Sequence, residues 1–244
     1  MSKKNVLLIG ASGGLGEHIT KKLAAVGYNL ALHYHTGLDK LGTVINSIKE
    51  HNIRHKAYMA DITSENDITE MIRKMIDDFG TIDILINNAG ISINGMSWKL
   101  SLDNWNKVIA VNLTGPFLCS KHVIPVMKEN KFGRIIFISS VVSQIGVIGT
   151  SAYAATKAGL NGLSKTISKE VINNNITSNL ISLGYFDAGL LYQIPEDIRG
   201  QIKETIPIKD FGNPQEVVEC IKYICSENSS YLTGQTINLN GGLY

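Results

Sequence analysis

The sequence is poor in several things at once, and each shortage excludes something. Only 5 of 244 residues are Pro and 18% are charged, while 44% are hydrophobic, so disorder, collagen and coiled coil do not fit. No repeat, low-complexity tract or Pro/Ser-rich linker marks a boundary, and the chain reads as one domain over 1–244. A chain of this length buries about 70–75% of its unfolded surface without staples. The 3 cysteines, Cys119, Cys220 and Cys225, lack CxxC spacing, which argues against a disulfide framework or zinc site and for a reducing compartment. Excess charge is also scarce: Lys plus Arg number 23 against 21 for Asp plus Glu, and they are scattered. Neither nucleic acid nor an anionic membrane is expected as a partner. The apolar run after Lys3 and Lys4 stops at Gly10, too short for a signal peptide, and nothing approaches the roughly 20 apolar residues of a membrane span. The expectation is a soluble, cytoplasmic protein.

What the sequence does have is alternation. Short apolar runs at 6–9, 30–34, 56–59, 82–86, 134–139, 177–182 and 236–239 lack strict in–out alternation, as in strands buried on both faces. Between them, 15–26, 38–51, 65–79, 102–130, 152–173 and 214–225 carry apolar residues at helical spacing. Strand and helix in turn predict an α/β fold: a single-domain Rossmann-type doubly wound parallel sheet of about seven strands, with helices on both faces. Segment 187–207 is too long for an ordinary connection and reads as a substrate lid within that domain.

The first strand runs into a glycine-rich turn, IGASGGLG at 9–16. Gly10, Gly13, Gly14 and Gly16 permit close backbone approach, and with Ser12 and Leu15 they open a helix whose N–H groups suit a pyrophosphate. The second strand ends at Tyr34 and His35, with no carboxylate until Asp39. The acid that would hold an unphosphorylated adenosine ribose is missing, so NADP(H) is the expected cofactor. His33 and His35 have no third ligand at useful spacing, and no metal is expected.

Tyr153 and Lys157 stand four apart early in a predicted helix, so they share a face. That spacing alone says little in a chain with this many Lys residues. Its company says more: Ser140 ends a strand 13 residues earlier, Asn112 lies in the preceding helical region, and Asn87-Asn88-Ala89-Gly90 closes the fourth strand. Reducing a ketone by hydride needs a proton donor on its oxygen. A free Tyr has a pKa of about 10, and an ammonium about 5 Å away contributes roughly 3 kcal/mol toward lowering it, or about two pKa units. Ser140 would hydrogen-bond the same oxygen.

These motifs, with Asp61-Ile62 after the third strand, resemble the classical short-chain dehydrogenase/reductase family over essentially the whole chain. Within it the sequence is most similar to 3-oxoacyl-acyl-carrier-protein reductases, by Trp105 seven before Asn112, Gly133-Arg134-Ile135-Ile136, Ser140-Val141-Val142 and the NGGLY ending at 244. The resemblance implies that Lys157 also holds the nicotinamide ribose and that Asn112 positions a relay water. It further implies that Asp61 and Ile62 meet the adenine, that Asn88, Ala89 and Gly90 line the adenosine ribose, and that the enzyme is a homotetramer. An acyl thioester, on an acyl carrier protein or CoA, is the implied substrate.

Departures from the family pattern carry their own expectations. Ile9 replaces a Thr that braces the NNAG turn, and Leu183-Gly184 replaces Pro-Gly. Ala188-Gly189 replaces a Thr-Asp that holds the carboxamide, leaving backbone at Phe186 to do so. Lys131 keeps one carrier-docking base, while Asn174 stands at the other. A basic dock of Lys131, Lys165 and Lys169 beside the site entrance would favour a carrier substrate. Apolar residues in 141–150 and the lid, with Gln144 among Val142, Leu190 and Leu191, suit an acyl chain or ring. Trp105 reads as a helix anchor, and Trp98 either as that or as a channel wall. Competing readings are an enzyme for another apolar alcohol or ketone, such as a steroid, and a catalytically silent subunit.

Overall fold

The computed structural model describes residues 3–244. Seven parallel strands form one sheet: β1 (Asn5–Ile9), β2 (Asn29–Tyr34), β3 (His55–Met59), β4 (Ile84–Asn87), β5 (Gly133–Ser140), β6 (Ile176–Leu183) and β7 (Thr236–Leu239), in the order β3-β2-β1-β4-β5-β6-β7. All seven expected runs are strands, within two residues at either end. The helices are α1 (Gly14–Val26), α2 (Leu38–Ser47), α3 (Glu65–Phe79), α4 (Leu102–Ile109), α5 (Gly115–Glu129), α6 (Val142–Ile145), α7 (Ser151–Val171), α8 (Glu196–Thr205) and α9 (Pro214–Cys225).

The strands are apolar at nearly every position because both faces are covered. Leu7, Leu85, Ile135 and Phe137 face one core with residues of α3, α5 and α7, while Val6, Leu8, Ile86 and Ile136 face the other with α1 and α9. Each fully buried Leu or Ile contributes about 1.5–3 kcal/mol relative to exposure. Helix starts follow local chemistry: Ser64 accepts from the Asp67 N–H to cap α3, and Asn213 accepts from the Gln215 N–H to cap α9. Strand order reverses between β1 and β4: β1 pairs in parallel with β2 on one side and with β4 on the other. The carboxyl ends flanking that crevice are where ligands bind in such sheets.

Two expectations change. The helix expected over 102–130 is three pieces, because a π-helical turn at Ala110–Thr114 separates α4 from α5. The periodicity of apolar residues survives one extra residue in a turn, so it does not reveal the bulge. Helix α2 ends at Ser47 rather than 51. Among the described residues no helix is long and apolar enough to cross a membrane.

Candidate active site

The glycine turn leaves β1 at Gly10, whose φ of 79° places it in the left-handed region. A Cβ there would lie 2.8 Å from the Ala89 Cα, so the turns following β1 and β4 touch backbone to backbone. The Asn88 amide donates to the Gly10 carbonyl at 2.9 Å, and the Asn88 N–H donates to Ile9 at 3.2 Å. The brace expected to be weakened by Ile9 is therefore supplied from Asn88. Gly13 precedes α1 and no side chain caps that helix, so the N–H groups around Gly14, Leu15 and Gly16 suit an anion. Gly16 must be glycine: a Cβ would sit 2.3 Å from the Gly10 carbonyl oxygen. The Ser12 hydroxyl donates to the Thr36 carbonyl at 3.2 Å and ties the turn to the end of β2.

At that end Tyr34 is half-buried, and His35 and Thr36 are exposed. Asp61 accepts from the Thr63 N–H at 2.9 Å and the Thr63 hydroxyl at 2.8 Å. These bonds, the main-chain one foremost, hold its carboxyl below the ordinary range. Ile62 is buried against Gly115. The residue missed in the sequence is His33. It is only 2% exposed, accepts from the Gly10 N–H at 3.1 Å through Nδ1, and contacts the Ala60 carbonyl at 3.0 Å through Nε2. Its place on the same strand face as Ala31, which lies in the core, was the available signal.

The four polar residues expected to act together do converge. Ser140 ends β5, and Tyr153 and Lys157 lie in the first two turns of α7. Lys157 is 4% exposed; its Nζ donates to the Ile138 carbonyl at 2.7 Å and lies 5.5 Å from the centre of the Tyr153 ring. A Cβ on Gly90 would be 3.5 Å from both Lys157 Nζ and Asn112 Oδ1, so the turn after β4 lies in contact with both side chains. Asn112 sits in the π-helical turn, a feature frequent at functional sites. Its amide is spent on Ile91, accepting from the N–H at 2.9 Å and donating to the carbonyl at 2.8 Å.

One electrostatic expectation is corrected. Burial pushes the Tyr153 phenol up to about 12, with the adjoining Ser140 hydroxyl pulling in the other direction. Burial also pushes the Lys157 ammonium down to about 8. Removing both groups from water outweighs their mutual influence, and Lys157 directs its proton to a carbonyl rather than to the phenol.

Around this centre, Val142 is buried behind Ser140. Gln144 does not point freely to substrate: its amide donates to Asn238 at 3.1 Å and accepts from Ser182 at 3.0 Å. Leu191 is buried, whereas Leu190 is exposed. The Phe186 carbonyl accepts from the Ala188 N–H at 2.7 Å, and Phe186 itself packs over Gly212. Segment 187–207 is held together by the Tyr192 hydroxyl donating to Asp187 at 2.5 Å and by Arg199 over the Tyr192 ring. Trp105 is half-buried and Trp98 is 78% exposed.

The basic dock does not lie beside this entrance within one chain. Lys131 precedes β5, whose far end carries Ser140, about 23 Å away along the strand. Lys165 and Lys169 line a hollow of about 350 Å³ with Thr233 and Gln235, ahead of β7, again at the opposite edge of the sheet. Among the described residues no group of three or more His, Cys, Asp or Glu is placed to hold a metal.

The chain is similar to known proteins over nearly its whole length. A family model described as enoyl-(acyl carrier protein) reductase matches residues 10–244. The chain is 36% identical over 241 residues to a 3-oxoacyl-acyl-carrier-protein reductase of Staphylococcus epidermidis, covering 99% of each. It is 33% identical over 238 residues to the protein of that name from Aquifex aeolicus, covering 98% of this chain and 96% of that one. A mutant short-chain dehydrogenase/reductase from Serratia marcescens superposes with a TM-score of 0.92 at 28% identity, over 98% of this chain and 97% of that one.

Proposed function

This chain belongs to the short-chain dehydrogenase/reductase family, and from that premise we propose that it reduces a 3-oxoacyl thioester to the 3-hydroxyacyl form with NADPH. The observation that carries the reading is the buried Lys157 ammonium beside the Tyr153 ring, with the Ser140 hydroxyl at the phenol and the uncapped α1 terminus across the crevice.

The residues present fit a dinucleotide. The uncapped N–H groups at Gly14, Leu15 and Gly16 would hold the pyrophosphate, with Gly10 and Ser12 shaping the turn. Asp61 and Ile62 would border the adenine, Asn88, Ala89 and Gly90 the adenosine ribose, and the N–H side of Phe186 the nicotinamide end. When bound, the cofactor supplies the hydride. The choice of NADPH rests on the strand end at Tyr34, His35 and Thr36, which carries no acid to hold the ribose and repel a 2′-phosphate.

The chain's own groups then divide the remaining work. Tyr153, protonated throughout the neutral range because burial raises its pKa, donates its proton to the ketone oxygen as charge develops there. Ser140 donates a second hydrogen bond and fixes that oxygen. Lys157 holds the nicotinamide ribose, and its charge favours phenolate once the proton has left. Asn112, fastened to Ile91 by its side chain, leaves its main chain to hold a relay water. Val142 and Leu190 border the acyl chain, and residues 187–207 act as the lid.

Two thioesters decide the test, because the relatives' names specify a ketone and the family description a double bond. Purified protein is given acetoacetyl or crotonyl thioester, on CoA and on acyl carrier protein, with NADPH or NADH, and nucleotide oxidation is followed by absorbance. Turnover of the ketone with NADPH supports the proposal. Turnover of crotonyl thioester alone, or preference for NADH, overturns the corresponding part.

A further inference from the structure

We propose that His33 is a positioning residue for the dinucleotide site: its imidazole spans the carboxyl ends of β1 and β3 and sets the distance between the phosphate-binding turn and the adenine wall. The inference rests on the dinucleotide reading above and adds to it a residue buried beneath the site.

The topology makes the role specific. Strands β1 and β3 are not neighbours; β2 lies between them. His33 projects from β2 and reaches both, taking the Gly10 N–H at 3.1 Å on one ring nitrogen and meeting the Ala60 carbonyl at 3.0 Å with the other. Gly10 begins the phosphate turn, and Ala60 immediately precedes Asp61 and Ile62. The His33 main chain joins the same link, since its carbonyl accepts from the Ala11 N–H at 2.9 Å, and the Tyr34 carbonyl accepts from the Ala60 N–H at 3.1 Å.

The two contacts require one acceptor and one donor at opposite ends of a rigid ring. Neutral imidazole with its proton on Nε2 provides that pair. Burial keeps His33 neutral, pushing its pKa down to about 4, so the acceptor for Gly10 is present at physiological pH. A side chain without polar ends would leave the part-buried Gly10 N–H and the buried Ala60 carbonyl unpaired, which is unfavourable for both. That cost would be relieved by movement of the turn or of the adenine wall, which separates two halves of one ligand site.

Three variants distinguish the contacts. Asn carries its oxygen near the Nδ1 position and preserves the bond to Gly10; Gln carries its nitrogen near Nε2 and preserves the bond to Ala60; Phe fills the volume and preserves neither. Dissociation constants for NADPH and for the fragments 2′,5′-ADP and nicotinamide mononucleotide are measured calorimetrically, beside thermal melting and steady-state kinetics. The expected result is weakening of NADPH and 2′,5′-ADP by about tenfold or more in His33→Phe, corresponding to one buried bond. His33→Asn and His33→Gln should recover part of it, with nicotinamide mononucleotide unchanged and kcat at saturating NADPH changed by less than about threefold.

Equal weakening of both fragments, or a lowered melting temperature with unchanged affinity for 2′,5′-ADP in the folded variants, overturns the positioning role. If His33→Phe does not fold, His33→Asn and His33→Gln carry the comparison. Failure of the wild-type protein to bind NADPH or NADH would instead overturn the dinucleotide reading itself.

Discussion

At the residue scale the site is governed by burial more than by attraction between its charges. Tyr153 holds its proton to about 12 and Lys157 loses its own near 8, so over the ordinary range the phenol is a ready donor and the lysine is the group that titrates. Reductive kcat/KM is therefore expected to be level below about pH 8 and to fall above it as Lys157 becomes neutral; a pH–rate profile with one descending limb checks this. Tyr153→Phe keeps the ring and removes the proton donor. Its turnover should fall by about a thousandfold or more, while the calorimetric affinity for NADPH stays within about threefold. Retention of more than a few per cent of activity would require another donor, and the half-buried Tyr185, whose charge bears on Tyr153, would be the first to examine. Tyr153, Lys157, Ser140 and Asn112 were legible because a recurrent pattern fixes their spacing. The pKa values were not, since desolvation depends on what surrounds a group and spacing says nothing of that.

At the scale of elements, the most consequential contact is between segment 187–207 and the glycine turn. A Cβ on Gly14 would lie 2.6 Å from the Gly189 N and 2.8 Å from its Cα, so the segment after β6 rests directly on the start of α1. Gly14→Ala forces these backbones apart. A penalty of about 1–3 kcal/mol is the usual scale for such overpacking, and it should be read chiefly as a raised KM for NADPH, because a loop segment can yield while the sheet cannot. An unchanged KM would show that segment 187–207 already stands clear during turnover. The tightness of this pair was invisible in the sequence, where Gly189 registered only as a missing Asp. The same limit applies to the π-helical turn at Ala110–Thr114. Apolar spacing identifies the face of a helix, but the pairing of carbonyls that lifts Asn112 out of register is decided by Ile91 and Thr156, which approach from other parts of the chain.

At the scale of the whole molecule, helix α7 has two faces with different obligations. Ala152 is buried, and a Cβ on Gly159 would meet the Leu113 side chain at 3.0 Å, so these small residues serve the protomer's own packing. Ala155, Ala158 and Gly162 are exposed, and nothing lies within 4 Å of a Cβ on Gly162. That outward strip, beside the exposed Phe117 of α5, is where the homotetramer we propose would bring helices together. Light scattering should give about four times the 26.6 kDa chain mass, and Gly162→Arg should lower it without unfolding the protomer. A wild-type monomer would remove the proposal.

The sequence by itself determined the sheet, its seven strands and the polar residues that meet at its carboxyl edge. Burial on both faces and the alternation of strand with helix leave few other ways to cover so much apolar surface. Tertiary structure alone decided which groups are held and by what: Asn88 bracing the turn that Ile9 was expected to weaken, Gln144 fastened to Asn238 and Ser182, and the basic residues Lys131, Lys165 and Lys169 placed at the far edge. It also decided that His33 joins two strands across a third. Hydrogen-bond partners and distances along a strand arise between segments remote in sequence, and a linear pattern records the groups without recording whom they meet.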